Sequence, residues 1–211
     1  MIYLSGTSLL PDMHLDGKVI FLVDSVSKKM LGKRHGRIGY EVMPGLWLER
    51  DKVIEASDYL DKVYERLEGK FSILLSRIHK VDYLPSFWHI PMASWLLHYL
   101  QALYDRYVRL KTASEIYGRE NIIVVACKYE NRLPSSFVEF VDKTTVDEEG
   151  SSFFYKLVAM ELGLPVHEFK SEQNKLEKEG YKQNNIKVFT EGFYLHVRFM
   201  LRNVISNMAR F

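Results

Sequence analysis

Asn121-Ile122-Ile123-Val124-Val125-Ala126-Cys127 is the stretch on which the fold turns. Beyond Asn121 it is apolar without interruption and rich in β-branched side chains. A strand with one face in water alternates polar and apolar residues, whereas a strand covered on both faces does not need to. The run therefore reads as a central strand of a parallel sheet.

Working outward, two long helical patterns precede it. Ala56, Leu60, Val63, Leu67, Phe71, Leu74 and Ile78 recur at spacings of three and four, one apolar stripe from about Asp51 to His79. Gly69 interrupts this stripe without an obvious stop signal. A second helix starts near Ser86 or Pro91 and runs to about Ala113, with Met92, Leu96, Leu100, Leu103, Tyr107 and Leu110 on its main stripe. Trp88, Trp95, Tyr99, Ala102 and Arg106 form a neighbouring stripe, so that helix is buried over much of its circumference. Further upstream, Met1–Leu4 and Val19–Val23 read as strands bracketed by Ser5-Gly6-Thr7, Gly17 and Asp24-Ser25. Residues 25–50 carry breakers and read as loop.

Downstream, Val138–Val141 reads as another strand. Asp147-Glu148-Glu149-Gly150 opens a helix over Ser151–Leu162 that Gly163 and Pro165 close. Val166–Phe169 is one more short strand, residues 170–187 are a polar linker, and residues 188–211 form an amphipathic helix. Strands separated by helices predict an α/β domain over residues 1–169, a Rossmann-like parallel sheet flanked by long helices, with the helical hairpin at about 51–113. Ligands of such sheets bind beyond the carboxyl ends of the strands. The places that qualify are Ser5–Ser8, the Asp24-Ser25 turn, Cys127–Asn131 and Asp142–Gly150.

Composition narrows the function. Apolar residues make up 47% of 211 residues, enough for a buried core. The 13% aromatic content suits a carbohydrate or nucleotide site, and a large core explains it equally well. A net charge of +2 does not suit a nucleic-acid binder. One cysteine, Cys127, excludes an intrachain disulfide and a cysteine-based metal site, and no metal is expected. The N-terminus lacks a basic n-region, and no apolar run reaches the roughly 18 residues of a membrane span, so the expected compartment is the cytoplasm. Dinucleotide-binding, P-loop, zinc-protease and nucleophile-elbow motifs are missing.

Several side chains remain as candidates, each with two readings. Glu148, within the acidic run, is either a general base beside the sheet edge or part of a helix cap. His79 and Asp82, in Ile-His-Lys-Val-Asp-Tyr, are either an oriented acid–base pair or an ordinary helix end and turn. Arg106, beside Asp105, needs an anionic partner, either an internal carboxylate such as Asp82 or a ligand phosphate. Lys33 and Arg34, with Lys28, Lys29 and Arg37, either embrace a phosphate or line a solvated loop. Arg198, Arg202 and Arg210 flank the apolar face of the C-terminal helix, which docks on protein or rests on an anionic membrane.

The segment from Leu46 to Leu110 carries a more specific order: W-L-E-R-D-K, Y-L-D-K-V-Y-E-R-L, I-H-K-V-D-Y, F-W-H-I and W-L-L-H-Y-L-Q-A-L-Y-D-R-Y. It resembles a family of transferases encoded in bacterial O-antigen and surface-polysaccharide loci. The matching positions are Trp47, Arg50, Asp51, Tyr59, Tyr64, Arg66, His79, Asp82, Tyr83, Trp88, Trp95, Tyr104, Asp105, Arg106 and Tyr107. Departures are Val23-Asp24-Ser25-Val26 in place of a Gly-Glu-Trp-Cys-type string, and Pro91-Met92-Ala93-Ser94 before Trp95.

The resemblance implies the N-terminal, acceptor-side portion of a two-domain GT-B glycosyltransferase of O-antigen or lipopolysaccharide assembly. The chain would then be a fragment, one subunit of a split enzyme or a stand-alone derivative, its donor site supplied by a C-terminal domain or partner subunit. The donor would be a nucleotide sugar, with a CMP-linked nonulosonate one option, and no further cofactor is expected. The acceptor would be a glycan or a lipid-linked glycan at the inner face of the membrane. His79, Asp82, Asp105 and Arg106 would form a polar centre packed by Trp88 and Trp95, with Asp82 or Glu148 as general base. The competing reading is a non-catalytic α/β binding module that pairs with a chain carrying the donor site.

Overall fold

In a computed structural model, residues 1–8, 17–23, 40–128, 137–142 and 147–170 are described. The run that opened the sequence reading is strand β4, Ile122–Cys127, buried along nearly its whole length; β1, Ile2–Ser5, and β5, Val166–Phe169, flank it. With β2, Lys18–Phe21, and β3, Tyr40–Val42, they form a five-stranded sheet of order β3-β2-β1-β4-β5. All four pairings are parallel, with Ile2 opposite both Lys18 and Ile122, Val19 opposite Tyr40, and Val124 opposite Val166. This is the Rossmann-like α/β arrangement expected from the sequence.

The period of two along each strand sorts side chains onto faces. Val19 and Phe21 of β2, Val125 and Cys127 of β4 and Phe169 of β5 build one buried cluster, with Tyr3 and Val23 packed against it. At the β3 edge, Lys18 and Glu41 form an ion pair between neighbouring strands. The hydrogen bond to Glu41 raises the Lys18 ammonium above its ordinary range.

Helix α1 spans Arg50–His79 and buries Ala56, Leu60, Val63 and Leu67, the first part of the predicted stripe. Farther along the stripe thins, and Ile78 is exposed. A methyl group at Gly69 would meet nothing within 4 Å, so that glycine leaves the helix unbroken. Lys80 ends α1 in the left-handed region (φ 55°), its N–H returning to the Arg77 carbonyl. Helix α2, Pro85–Tyr117, begins with proline in its first turn, where the missing N–H is harmless. It also contains Pro91 and extends past Ala113.

The chain divides into two compact units. One is the hairpin unit, Gly45–Asp105; the other, the sheet unit, consists of Met1–Pro44 and the chain from Arg106 onward.

Two local expectations are corrected. Val138–Val141 is not a strand: it lies in a short helix α3, Phe137–Val141. In a strand, Val138 and Phe140 would share a face, yet Val138 is exposed while Phe140 is buried. The β-favouring composition is overruled by which side chain reaches the core. Within the segment read as loop, Tyr40–Val42 is strand β3. Three residues are too few for alternation to show, and pairing with β2 makes them a strand.

Helix α4, Glu148–Glu161, packs against β4. Its end has the geometry of a Schellman motif: the Gly163 N–H bonds to the Met160 carbonyl, the Leu164 N–H to that of Ala159, and Gly163 has φ 65°. The chain then enters β5 through Pro165, as the sequence predicts. The linker from residue 171, the C-terminal helix and the basic loop at residues 24–39 lie outside the described residues.

Candidate functional site

In a parallel sheet of this order, connections leave β1 and β4 toward opposite sides, opening a crevice at their carboxyl ends. In the sheet unit the crevice is built from the loop after β1. The Ser5 hydroxyl donates to the Thr7 carbonyl at 2.8 Å and accepts the Thr7 N–H at 3.3 Å, a local turn of the kind serine favours. Gly6 lets this loop lie against Tyr155, since a Cβ there would sit 2.2 Å from Cε2 of that ring. Thr7 and Ser8 are both buried.

The acidic run before α4 splits into two tasks. Asp147 is the N-cap, accepting the N–H groups of Glu149 at 3.2 Å and Gly150 at 3.0 Å. Glu148 instead reaches the β1 loop. Its Oε2 accepts the Thr7 hydroxyl at 3.0 Å, and the Ser8 N–H and hydroxyl at 2.6 Å each. Ser152 Oγ accepts the Cys127 N–H at 2.7 Å and ties the end of β4 to the same helix.

Arg106 completes this edge. Its Nη2 donates to Ser151 Oγ at 3.0 Å, and its guanidinium lies 5.9 Å from the Phe154 ring centroid and 5.5 Å from that of Tyr155. At 8% exposure it is a largely desolvated cation within cation–π distance of two aromatic rings. One turn further along α2, Arg109 Nη1 donates to the Leu22 carbonyl at 2.7 Å, just past β2. The edge thus combines guanidinium groups, hydroxyls and a carboxylate beside a helix N-terminus that Asp147 caps. That combination suits a ligand carrying both an anionic group and hydroxyls.

The hairpin unit holds other polar groups. Where α1 turns into α2, His79 stacks on Trp88 with centroids 5.3 Å apart, and Trp88 Nε1 donates to Ser76 Oγ at 2.8 Å. Asp82 lines an open groove of ≈ 510 Å³ with Ser76, Arg77, Lys80 and Tyr83. Trp95 stacks on Tyr99 at 5.6 Å and meets Phe71 edge-on. Burial pushes the Tyr99 hydroxyl well above the ordinary tyrosine range. Asp105 Oδ1 accepts Trp47 Nε1 at 2.6 Å, beside Tyr104 and Tyr59. At 1.5 Å per helical residue, Asp105 stands roughly 30 Å along α2 from the hairpin turn.

A family model described as LIC12162 family transferase matches residues 11–210. The chain belongs to that family. No curated protein and no solved structure matches it. As a LIC12162-family transferase it is expected to present a pocket for a group donor or acceptor, and the carboxyl edge of the sheet is where α/β folds place one.

Within this family member, His79 and Trp88 come together at the hairpin turn and Asp82 lines a groove of that turn, while Trp95 and Asp105 lie farther along the same unit. Arg106 and Glu148 both belong to the sheet unit. Lys33 and Arg34 lie outside the described residues. Among the described residues, no group of three or more His, Cys, Asp or Glu side chains could hold a metal ion, and no helix is long and apolar enough to cross a membrane.

Sequence reasoning passed over Ser151, Ser152, Arg109 and Tyr155. The one signal that could have found an arginine edge was the Arg106/Arg109 spacing, which puts both on neighbouring turns of one helix. It also passed over His89, whose Nδ1 lies 2.5 Å from Glu68 Oε1 and 3.3 Å from the Tyr64 hydroxyl.

Proposed function

We propose that this LIC12162-family chain acts in glycosyl transfer from a nucleotide sugar, with the crevice at the carboxyl ends of β1 and β4 as its ligand site. The observation that carries the reading is Arg106, a buried guanidinium within cation–π distance of Phe154 and Tyr155 at that edge. A planar guanidinium at the carboxyl edge of the sheet is a donor suited to phosphate or carboxylate, and a sugar nucleotide or an acidic sugar offers one. Glu148, beside the Thr7 and Ser8 hydroxyls, is the carboxylate proposed as general base, in preference to Asp82 in the hairpin unit. In the transfer, an acceptor hydroxyl oxygen bonds to the anomeric carbon and the donor phosphate leaves with the electron pair. The hydroxyl proton passes to the carboxylate. The acceptor is proposed to be a glycan or lipid-linked glycan of bacterial surface polysaccharide, handled at the inner face of the membrane. CMP-linked sugars are included among the donors.

The test is thermal-shift titration of the full chain with CMP, UDP, GDP and their sugars, repeated on Arg106→Lys and Arg106→Gln. Stabilisation by one nucleotide class that weakens in Arg106→Lys and disappears in Arg106→Gln is the expected result. Stabilisation that survives both substitutions removes Arg106 from the site.

A second reading, a non-catalytic module paired with a donor-binding chain, is favoured by one observation. Glu148 Oε2 already accepts three donors from its own chain. No response to any nucleotide, together with stable association with such a chain, would select it.

A further inference from the structure

The far end of the hairpin unit exposes side chains that a water-facing turn does not need. At the start of α2 and the turn before it, Tyr83 is 49% exposed, Leu84 76%, Phe87 50% and Ile90 81%. Phe87 and Ile90, three residues apart, share one side of the helix start, and Tyr83 comes from the turn before it. Tyr83 and Phe87 already pack ring to ring at 4.3 Å. Singly exposed apolar residues are ordinary, but four neighbours at a helix corner make a contiguous patch.

Charge says what covers it. From Glu68 to Ile90 the cations are Lys70, Arg77 and Lys80, and the acids are Asp82 and Glu68, the latter held against His89. Arg77, Lys80 and Asp82 line the groove beside Tyr83. The body of α1 has the opposite balance, with Asp51, Glu55, Asp58, Asp61 and Glu65 against Arg50, Lys52, Lys62 and Arg66. Cations therefore exceed acids around the apolar corner. A second copy of the chain, docked tip to tip, would set these cations against themselves. The chain's own segment from 188 to 211 carries Arg198, Arg202 and Arg210 against Glu191, and brings more of the same sign. Aromatic and aliphatic side chains ringed by lysine and arginine match the chemistry of an anionic bilayer surface.

We propose that the corner formed by Tyr83, Leu84, Phe87 and Ile90, with Arg77 and Lys80 beside it, docks the protein on an anionic lipid bilayer. The apolar side chains enter the headgroup boundary and the two cations meet lipid phosphates. The inference stands apart from the transferase reading, because its test contains neither donor nor acceptor.

Flotation of the full chain with phosphatidylcholine vesicles, with and without phosphatidylglycerol, reads it directly. Binding is expected only with the anionic lipid and is expected to weaken with salt. Arg77→Gln/Lys80→Gln should lower the partition coefficient by roughly 30-fold, as two basic residues near such a surface imply. Leu84→Ser/Ile90→Ser should lower it by about tenfold or more. Lys52→Gln/Lys62→Gln, on the acidic body of α1, should leave it unchanged. Circular dichroism confirms that these surface variants fold. Failure to float with anionic vesicles, equal binding to both vesicle types, or full binding by either tip variant overturns the proposal. So does self-association that the tip variants abolish in the absence of vesicle binding.

Discussion

Asp147 and Glu148 are adjacent carboxylates at the start of α4, and replacing each by alanine should separate their work by size. Asp147 satisfies two backbone N–H groups of a helix terminus. Loss of such a cap costs about 1 kcal/mol. Glu148 joins α4 to the end of β1 through Thr7 and Ser8, which are 0% and 5% exposed. Hydrogen bonds to a charged group are worth about 1.5–3 kcal/mol, and three bonds on one oxygen are not additive, so Glu148→Ala should cost about 3 kcal/mol. For a chain of this size 1 kcal/mol moves Tm by about 2–4 °C. Calorimetry should then find a fall of roughly 2–4 °C for Asp147→Ala and roughly 6–12 °C for Glu148→Ala. Because Glu148 acts through the β1 loop, a double-mutant cycle with Ser8→Ala should show coupling of about 1 kcal/mol or more. The equivalent cycle between Ser8→Ala and Asp147→Ala should be additive. Equal losses from the two alanines, or additivity between Glu148 and Ser8, would refute the division of labour.

Gly6→Ala forces a methyl group to 2.2 Å from the buried Tyr155 ring and should lower stability by about 1–3 kcal/mol in urea unfolding. Pairing it with Tyr155→Ala should recover part of that loss relative to additivity. Trp47→Phe removes a donor to Asp105 and should cost about 1.5–3 kcal/mol. Burial raises the folded-state pKa of Tyr99 above its unfolded value near 10. The folded state therefore holds its proton longer, and stability should be complete below about pH 10 and fall above it by up to about 1.4 kcal/mol per pH unit. Tyr99→Phe should flatten that alkaline limb in unfolding curves measured across it.

The elements that could be read from the sequence are those whose pattern is long or punctuated. Ile122–Cys127 is apolar throughout, and the α1 stripe repeats over many turns. Gly163 and Pro165 fix where α4 stops and β5 starts. Tyr40–Val42 was hidden because three edge residues have no period, and only β2 beside them makes them a strand. Of the candidate site only part of the location is legible: Ser5–Ser8 does follow β1, whereas Asp142–Gly150, expected beyond a strand, follows the short helix α3. Its wiring is not. Thr7 and Glu148 are separated by 141 residues and Arg106 and Ser151 by 45, and nothing local to a serine tells which distant charge it meets.

Asp105 and Arg106 carry the same lesson into function. As a sequence they are one Tyr-Asp-Arg-Tyr motif, and they read as a single polar centre. Consecutive helix residues point about 100° apart, so they do not serve the same surface. Asp105 accepts the Trp47 indole within the hairpin unit, whereas Arg106 meets Ser151 and two aromatic rings within the sheet unit. The aspartate accepts the Trp47 indole in its own unit. The arginine sits at the carboxyl edge of the parallel sheet, and it is the member of the motif on which the transferase reading depends. Asp105→Asn should therefore change the stability of the hairpin and leave the nucleotide response of the chain intact, while Arg106→Lys should do the reverse. A nucleotide response lost in both variants would join the two residues again in one site.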